Sequence, residues 1–410
     1  MIDIDLGEIF CSFSKALDLS LYGISNHHKT VALISKAIAD ELNMPEEEQR
    51  LIFYSALVHD AGMAPEEELR DILPFEDINS FDHCQRGYEI FCHSKLTDKV
   101  AMIILHHHDR WKAVNASGLC ESSIALASNI IYLADRVSVL TENSKGYILN
   151  LREDILNTIS QKSGTVFNPA VVEAFQKTSK KESFWLDIQS EFLMEFVQSR
   201  RPRHYMRISV EELVDLVKCF SRIIDNKSHF TRNHSRRVAL VVEFLAQKVG
   251  FSDSELSLIK IAGYLHDLGK ISIPNSILDK PAKLTREEAA IVRRHTYYSY
   301  YLLKTITGFE NVAAWGAHHH ERLDGSGYPF HLTKDELPLG SRLMAVADIF
   351  TALTEDRPYR QGVNKQECLA ILNKLVAAQA ISEQGVNLVK EHYEELLALI
   401  SDEGNSNSTR

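Results

Sequence analysis

Apolar residues recur along this chain at helical spacing. In Ser235–Val249, SRRVALVVEFLAQKV, the residues Val238, Val241, Val242 and Leu245 fall at i, i+3, i+4 and i+7, one face of a helix. Residues 27–42, HHKTVALISKAIADEL, repeat the pattern. Each stretch is followed by an acidic segment and a second apolar helix that runs into a His-Asp pair, LIFYSALVHD at 51–60 and LIKIAGYLHD at 258–267. Each half closes alike, with a helix, a polar turn and another helix at 151–176 and 365–397. Period-2 alternation is scarce, so the expected fold is all-α. Residues 184–197, FWLDIQSEFLMEFV, read as one amphipathic helix. The basic, Pro-containing QSRRPRHYMR at 198–207 reads as the end of a helical linker, and the polar stretch 401–410 as a disordered tail.

A set of seven residues repeats between the halves. His234, His266, Asp267, His295, His319, His320 and Asp348 are matched by His27, His59, Asp60, His83, His107, His108 and Asp135. The first His precedes the His-Asp pair by 32 residues in both halves, and the third His precedes the His-His pair by 24 in both. With 18 histidines among 410 residues, such agreement points to a duplication. The expected domains are therefore 1–200 and 208–400.

Composition narrows the function. At 45% hydrophobic and 25% charged residues, each half is able to bury a core. The net charge of −11 argues against a nucleic-acid polymer as partner and leaves room for a small anion in a local basic pocket. Six scattered cysteines without Cys-x-x-Cys read as free thiols. Asp3, Asp5 and Glu8 give no basic leader, and no apolar run reaches the ~20 residues of a membrane span, so a cytoplasmic location without a membrane partner is expected.

Five imidazoles and two carboxylates exceed what one ion takes, and a shared carboxylate is the usual bridge between two. Neighbouring side chains diverge by about 100° on a helix. His266 can therefore hold one ion while Asp267 bridges to a second. Mixed N/O ligation favours Fe or Mn, with Ni, Co or Zn also accepted. Any one of these histidines alone would read as a core or surface residue; the repeated set of seven reads as metal ligands. Lys270, one turn past His266, reads equally as a solvated lysine or as a group facing the metals. Gly325 and Gly327 suit an ordinary turn or a close approach of backbone to ligand, with Tyr328 and Pro329 fixing the turn. Arg357 and Arg360 read as surface charges or as a phosphate clamp.

The C-terminal half resembles an HD-GYP phosphodiesterase over nearly all of 208–400. The likeness rests on HDLGKISIP at 266–274, LDKPAKLTREE at 278–288, RRH at 293–295, HHERLDGSGYP at 319–329 and AVADIFTALTEDRPYR at 345–360. It implies metal-activated hydroxide attack on a 3′,5′-cyclic dinucleotide, cyclic di-GMP or 3′,3′-cyclic GMP-AMP, giving a linear dinucleotide. It implies Asp267 and Lys270 as catalytic residues, Lys270 stabilising or protonating the leaving 3′ oxygen. It also implies substrate contacts at Arg357, Arg360, Gly325, Gly327 and Tyr328. Family register puts the ligands at His319 and His320, with His318 a neighbour. Three-metal relatives carry a Glu one turn before the first His; Phe230 stands there, so two divalent ions are expected.

The first half keeps the seven ligand types and loses their surroundings. Met63 stands for Lys270, KAVNASG at 112–118 replaces the DGSGYP turn, and Ser144 and Tyr147 stand for the two arginines. It reads as an HD domain open to metal but lacking the cyclic-dinucleotide grip, a regulatory partner or second phosphohydrolase in contact with the catalytic half, ahead of a vestigial site without metal. A homodimer remains open. The rival readings are a nucleoside-phosphate phosphohydrolase and a non-catalytic cyclic-dinucleotide receptor.

Overall fold

A computed structural model describes residues 2–19, 26–63, 81–112, 115–119, 121, 125–142, 146–227, 233–355 and 361–401. Arg357, Arg360, Phe230, Ser144 and the tail from 402 lie outside the described residues. The chain divides into two compact units, Met1–Cys219 and Phe220–Arg410, the division falling within the helix Val210–Asn226. Both units are helical, and among the described residues no helix is long and apolar enough to cross a membrane.

The one sheet among the described residues pairs β1 (Ile2–Asp5) with β2 (Tyr205–Ile208), antiparallel, Ile2 opposite Ile208 and Asp5 opposite Tyr205. Residues 198–207, expected as linker, thus end a helix at Arg200 and then form a strand. Their basic residues meet the acidic N-terminus. Arg201 lies 2.9 Å from Asp5 and 3.3 Å from Glu8, and Arg207 lies 2.8 Å from Asp3. Asp5 also accepts from Gly7 N at 2.9 Å, capping the helix Leu6–Asp18. The single helix expected over 184–197 is two, Glu182–Ile188 and Leu193–Arg200. Ser190 Oγ accepts from Phe192 N at 3.0 Å, a local bond that competes with continuing the helix.

In the first unit the helix His27–Glu41 packs on Glu46–Val58 and Leu126–Glu142; in the second His234–Lys248 packs on Asp253–Leu265 and Leu339–Thr354. The apolar face read from the sequence is the buried one, with Val238, Val241, Val242 and Leu245 all solvent-free. A Cβ on Gly263 would sit 2.5 Å from the Ala239 Cα, so the glycine permits the close crossing that brings His266 toward His234. Ser252 and Glu255 form a capping box that starts Asp253–Leu265. Asn26 (φ 74°) and Asn233 (φ 67°) adopt left-handed backbone immediately before the first His of each set, a conformation Asn tolerates better than most residues.

Candidate metal centres and active site

The helix Asp253–Leu265 ends on His266 as its C-cap, and Glu46–Val58 ends on His59 in the same way. Two neighbouring residues at a buried helix end therefore diverge into one site. In the second unit His266 Nε2 lies 3.1 Å from Asp267 Oδ2, while His295 Nε2 and His319 Nε2 lie 3.4 and 3.7 Å from Asp267 Oδ1. One carboxylate thus presents one oxygen to His266 and the other to His295 and His319. His234 Nε2 stands 3.2 Å from Asp348 Oδ1, and His266 Nε2 stands 4.0 Å from the same oxygen. The ring of His320 lies 5.2 Å from that of His295, completing the second group.

The first unit repeats this layout. Asp60 Oδ2 faces His59 Nε2 at 3.2 Å and His27 Nε2 at 3.7 Å, and Asp60 Oδ1 faces His83 and His107 at 3.6 and 3.7 Å. Asp135 stands 3.3 Å from His27 and 3.9 Å from His108. All fourteen ligand candidates are therefore gathered into two clusters of seven.

Backbone carbonyls fix which ring nitrogen faces inward. His266, His295 and His319 donate from Nδ1 to the carbonyls of Gly263, Val292 and Gly316 at 2.8, 2.6 and 2.7 Å. His59 and His107 do the same to Ala56 and Ile104 at 2.9 and 2.6 Å. With the proton on Nδ1, the Nε2 lone pair points into the site. His295 Nε2 and His319 Nε2 then face each other at 3.4 Å with two lone pairs and no proton between them. Buried His266 Nε2, Asp267 Oδ1, His59 Nε2, Asp60 Oδ1 and Asp135 Oδ1 have no hydrogen-bond partner. Leaving such atoms buried is costly, and a cation among them relieves it. The residues fit bound metal.

Electrostatics agree. Burial pushes the His295 pKa down to about 3 and holds His319 well below the usual range, so both are neutral donors. Burial opposes ionisation of Asp267, yet His266 and Lys270 outweigh it and keep the carboxyl well below its ordinary value. Burial also disfavours a charged His234, but Asp348 and Glu355 carry it up to about 10. The carboxylates around His234 call for positive charge.

Sequence reasoning missed the residues that hold the ligands. Glu355 accepts from His234 Nδ1 at 3.0 Å and pairs with Arg237 at 3.1 Å. Glu142 lies 3.5 Å from His27 Nδ1. Both glutamates follow the late Asp by seven residues, a repeat visible in the sequence. A Cβ on Gly269 would overlap the His295 carbonyl oxygen, and one on Gly62 that of His83. Each glycine stands three residues past its helix-end His and lets the third ligand's backbone close in. Buried Glu321 accepts from Phe330 N at 2.6 Å and Leu332 N at 3.1 Å, anchoring the turn that contains Gly325 and Gly327.

The other expected site residues fall as follows. Lys270 Nζ bonds Asp267 Oδ2 from a short 3₁₀ turn, Leu268–Ser272. Gly325 has φ 76°, and a Cβ on Gly327 would overlap the Arg322 backbone nitrogen. The Tyr328 ring lies 5.0 Å from that of His320, and Arg293 covers Tyr328 at 5.2 Å. His318 stacks on Tyr300 at 5.5 Å, outside the ligand cluster.

HD domain family models match residues 24–140 and 218–380. The chain is 30% identical to 3′3′-cGAMP-specific phosphodiesterase 1 of Vibrio cholerae over 395 residues, covering 94% of this chain and 91% of that protein. The chain belongs to the HD-GYP phosphodiesterase family. It is also 41% identical to the cyclic di-GMP phosphodiesterase response regulator RpfG of Xanthomonas campestris, over 37% of this chain and 41% of that one. A crystal structure of a cyclic GMP-AMP specific phosphodiesterase of Vibrio cholerae shares the fold, with a TM-score of 0.67 at 23% identity over 96% of this chain and 98% of its own.

Within this family frame the two centres differ in ways that matter chemically. Arg136 occupies Asp135 Oδ2 at 2.7 Å, whereas Ile349 follows Asp348. Met63 in place of Lys270 removes the ammonium from the first centre.

Proposed function

We propose that the C-terminal half, 208–400, hydrolyses 3′,3′-cyclic GMP-AMP to a linear dinucleotide. The observation that carries this reading is Asp267, a buried carboxylate with one oxygen facing His266 and the other facing His295 and His319. His234, His266 and Asp348 would hold one divalent ion, His295, His319 and His320 a second, and Asp267 would bridge them. Phe230 cannot ligate, which supports two ions; Fe or Mn suits the N/O donors, with Ni, Co or Zn also accepted. When bound, the pair supplies Lewis acidity that activates water and neutralises charge on the phosphodiester.

The protein's own groups do the rest. Nδ1 bonds to backbone carbonyls and to Glu355 keep the rings aimed. Lys270, held at Asp267, delivers a proton to the departing 3′ oxygen as the P–O3′ bond breaks. The turn through Gly325, Gly327 and Tyr328 brings backbone and an aromatic ring beside His320, and Arg357 and Arg360 are assigned to the second phosphate. The full-length likeness to a 3′3′-cGAMP-specific enzyme, against likeness to RpfG over little more than a third of the chain, supports cyclic GMP-AMP over cyclic di-GMP. The N-terminal half, 1–200, is assigned a regulatory role with a metal centre of its own.

The test compares two substitutions in metal-loaded full-length protein. Asp267→Ala is expected to abolish hydrolysis while the protein stays folded, and Asp60→Ala to leave it within about a few-fold. Substantial activity in Asp267→Ala would overturn the assignment; total loss in Asp60→Ala would make the halves one catalyst.

A further inference from the structure

We propose that His28 is a metal ligand of the first unit's centre, which thereby holds its ion with one imidazole more than the second unit's centre does. This inference concerns the first unit alone and does not depend on hydrolysis in the second.

His28 is 1% exposed and follows the first ligand His on the same helix. Its Nδ1 lies 2.6 Å from Asp18 Oδ1. Asp18 also takes the His28 backbone N–H at 3.2 Å and the Lys29 ammonium at 2.8 Å. A carboxylate so surrounded by donors is ionised, so His28 donates from Nδ1 and carries its lone pair on Nε2. That Nε2 is buried and has no hydrogen-bond partner. The rings of His27, His28 and His59 form a near-equilateral triangle, with centroids 5.6, 5.2 and 5.3 Å apart. Ligating atoms of His28, His59 and Asp60 lie within 4.8 Å of one another. A carboxylate on the far nitrogen of an imidazole is the arrangement that orients a histidine ligand and raises its basicity.

The second unit supplies the contrast. Asp225 precedes His234 by nine residues, as Asp18 precedes His27, but the position of His28 is Ser235. Ser235 Oγ donates to Asp225 at 2.7 Å and offers no nitrogen to an ion. The orienting carboxylate is therefore common to both halves, and the extra imidazole belongs to the first. His28, His59 and Asp60 form one cluster of donors and His27, His59 and Asp135 an adjoining one, with His59 common to both. An ion that gains the His28 imidazole keeps fewer positions for water or substrate, which suits a retained ion rather than a hydrolytic one.

The test uses full-length protein carrying Asp267→Ala, so that hydrolysis does not enter and cobalt held by the second unit is common to both samples. This parent and the same chain with His28→Ser, which copies Ser235, are loaded with Co²⁺. Cobalt per chain, the visible ligand-field spectrum and the rate of cobalt release to a chelator are recorded. The parent is expected to hold cobalt; His28→Ser should change the spectrum and release at least about tenfold faster, the range set by losing a group that tunes a metal site. Should His28→Ser fail to fold by circular dichroism, His28→Asn is read by the same criteria. A parent that holds no cobalt, or equal spectra and release rates, would overturn the proposal.

Discussion

Lys270→Met places in the second unit the residue that Met63 supplies in the first, and isolates what the ammonium contributes. Lys270 pairs with Asp267 Oδ2, the lysine side chain 22% exposed and the aspartate 2%. The pair is worth about 1 kcal/mol or less to the fold, because the lysine end is solvated. Asp267 keeps His266, His295 and His319 around it, so metal content should hold. The chemical step loses more. An acid positioned at a leaving oxygen contributes about 10²–10⁴ in rate, or about 3–5 kcal/mol of barrier at ~1.4 kcal/mol per decade. The assay is steady-state hydrolysis of 3′,3′-cyclic GMP-AMP followed by liquid chromatography, with metal per chain and Tm read on the same preparation. The expected result is a kcat at least about 100-fold lower, KM within a few-fold and unchanged metal. A kcat within about threefold of the unmodified protein, or a loss that tracks metal loss, would refute the role.

Two further substitutions probe the scaffold. Gly269→Ala pushes a methyl into the His295 carbonyl, so the third ligand must retreat; metal content of the second unit should fall, and full retention would contradict the close-approach argument. Burial pushes the Cys11 thiol up to about 12 from 9.0. A raised folded-state pKa leaves stability intact below pH 9.0 and drains it as the unfolded chain ionises between 9.0 and about 12, by up to ~4 kcal/mol for this group. Chemical denaturation across that window should therefore show a shallower decline in Cys11→Ala; parallel curves would remove Cys11 as the cause.

The convergence of the two sets of seven was legible because metal chemistry ties residue type to spacing. A His at one helix end, a His-Asp pair at another and a His-His pair after a third are brought together when those helices pack. Apolar faces with period 3.6 were equally plain. What escaped the reading was set by contacts remote in sequence. β1 and β2 are four residues each and lie some 200 residues apart, too short for alternation to register. The basic run at 198–207 looked like a linker because its acidic partners Asp3, Asp5 and Glu8 are at the other end of the unit. Glu142 and Glu355, Gly62 and Gly269, and Asp18 and Asp225 stand at equal offsets in the two halves. Only the folded arrangement shows that the glutamates and aspartates orient imidazoles or their neighbours and that the glycines admit backbone.

The preference for 3′,3′-cyclic GMP-AMP is read by giving metal-loaded full-length protein an equimolar mixture of it and cyclic di-GMP and following both, with metal content verified. Preferential loss of cyclic GMP-AMP, with a linear dinucleotide appearing in step, is the predicted result. Survival of both substrates, or faster loss of cyclic di-GMP, would contradict it.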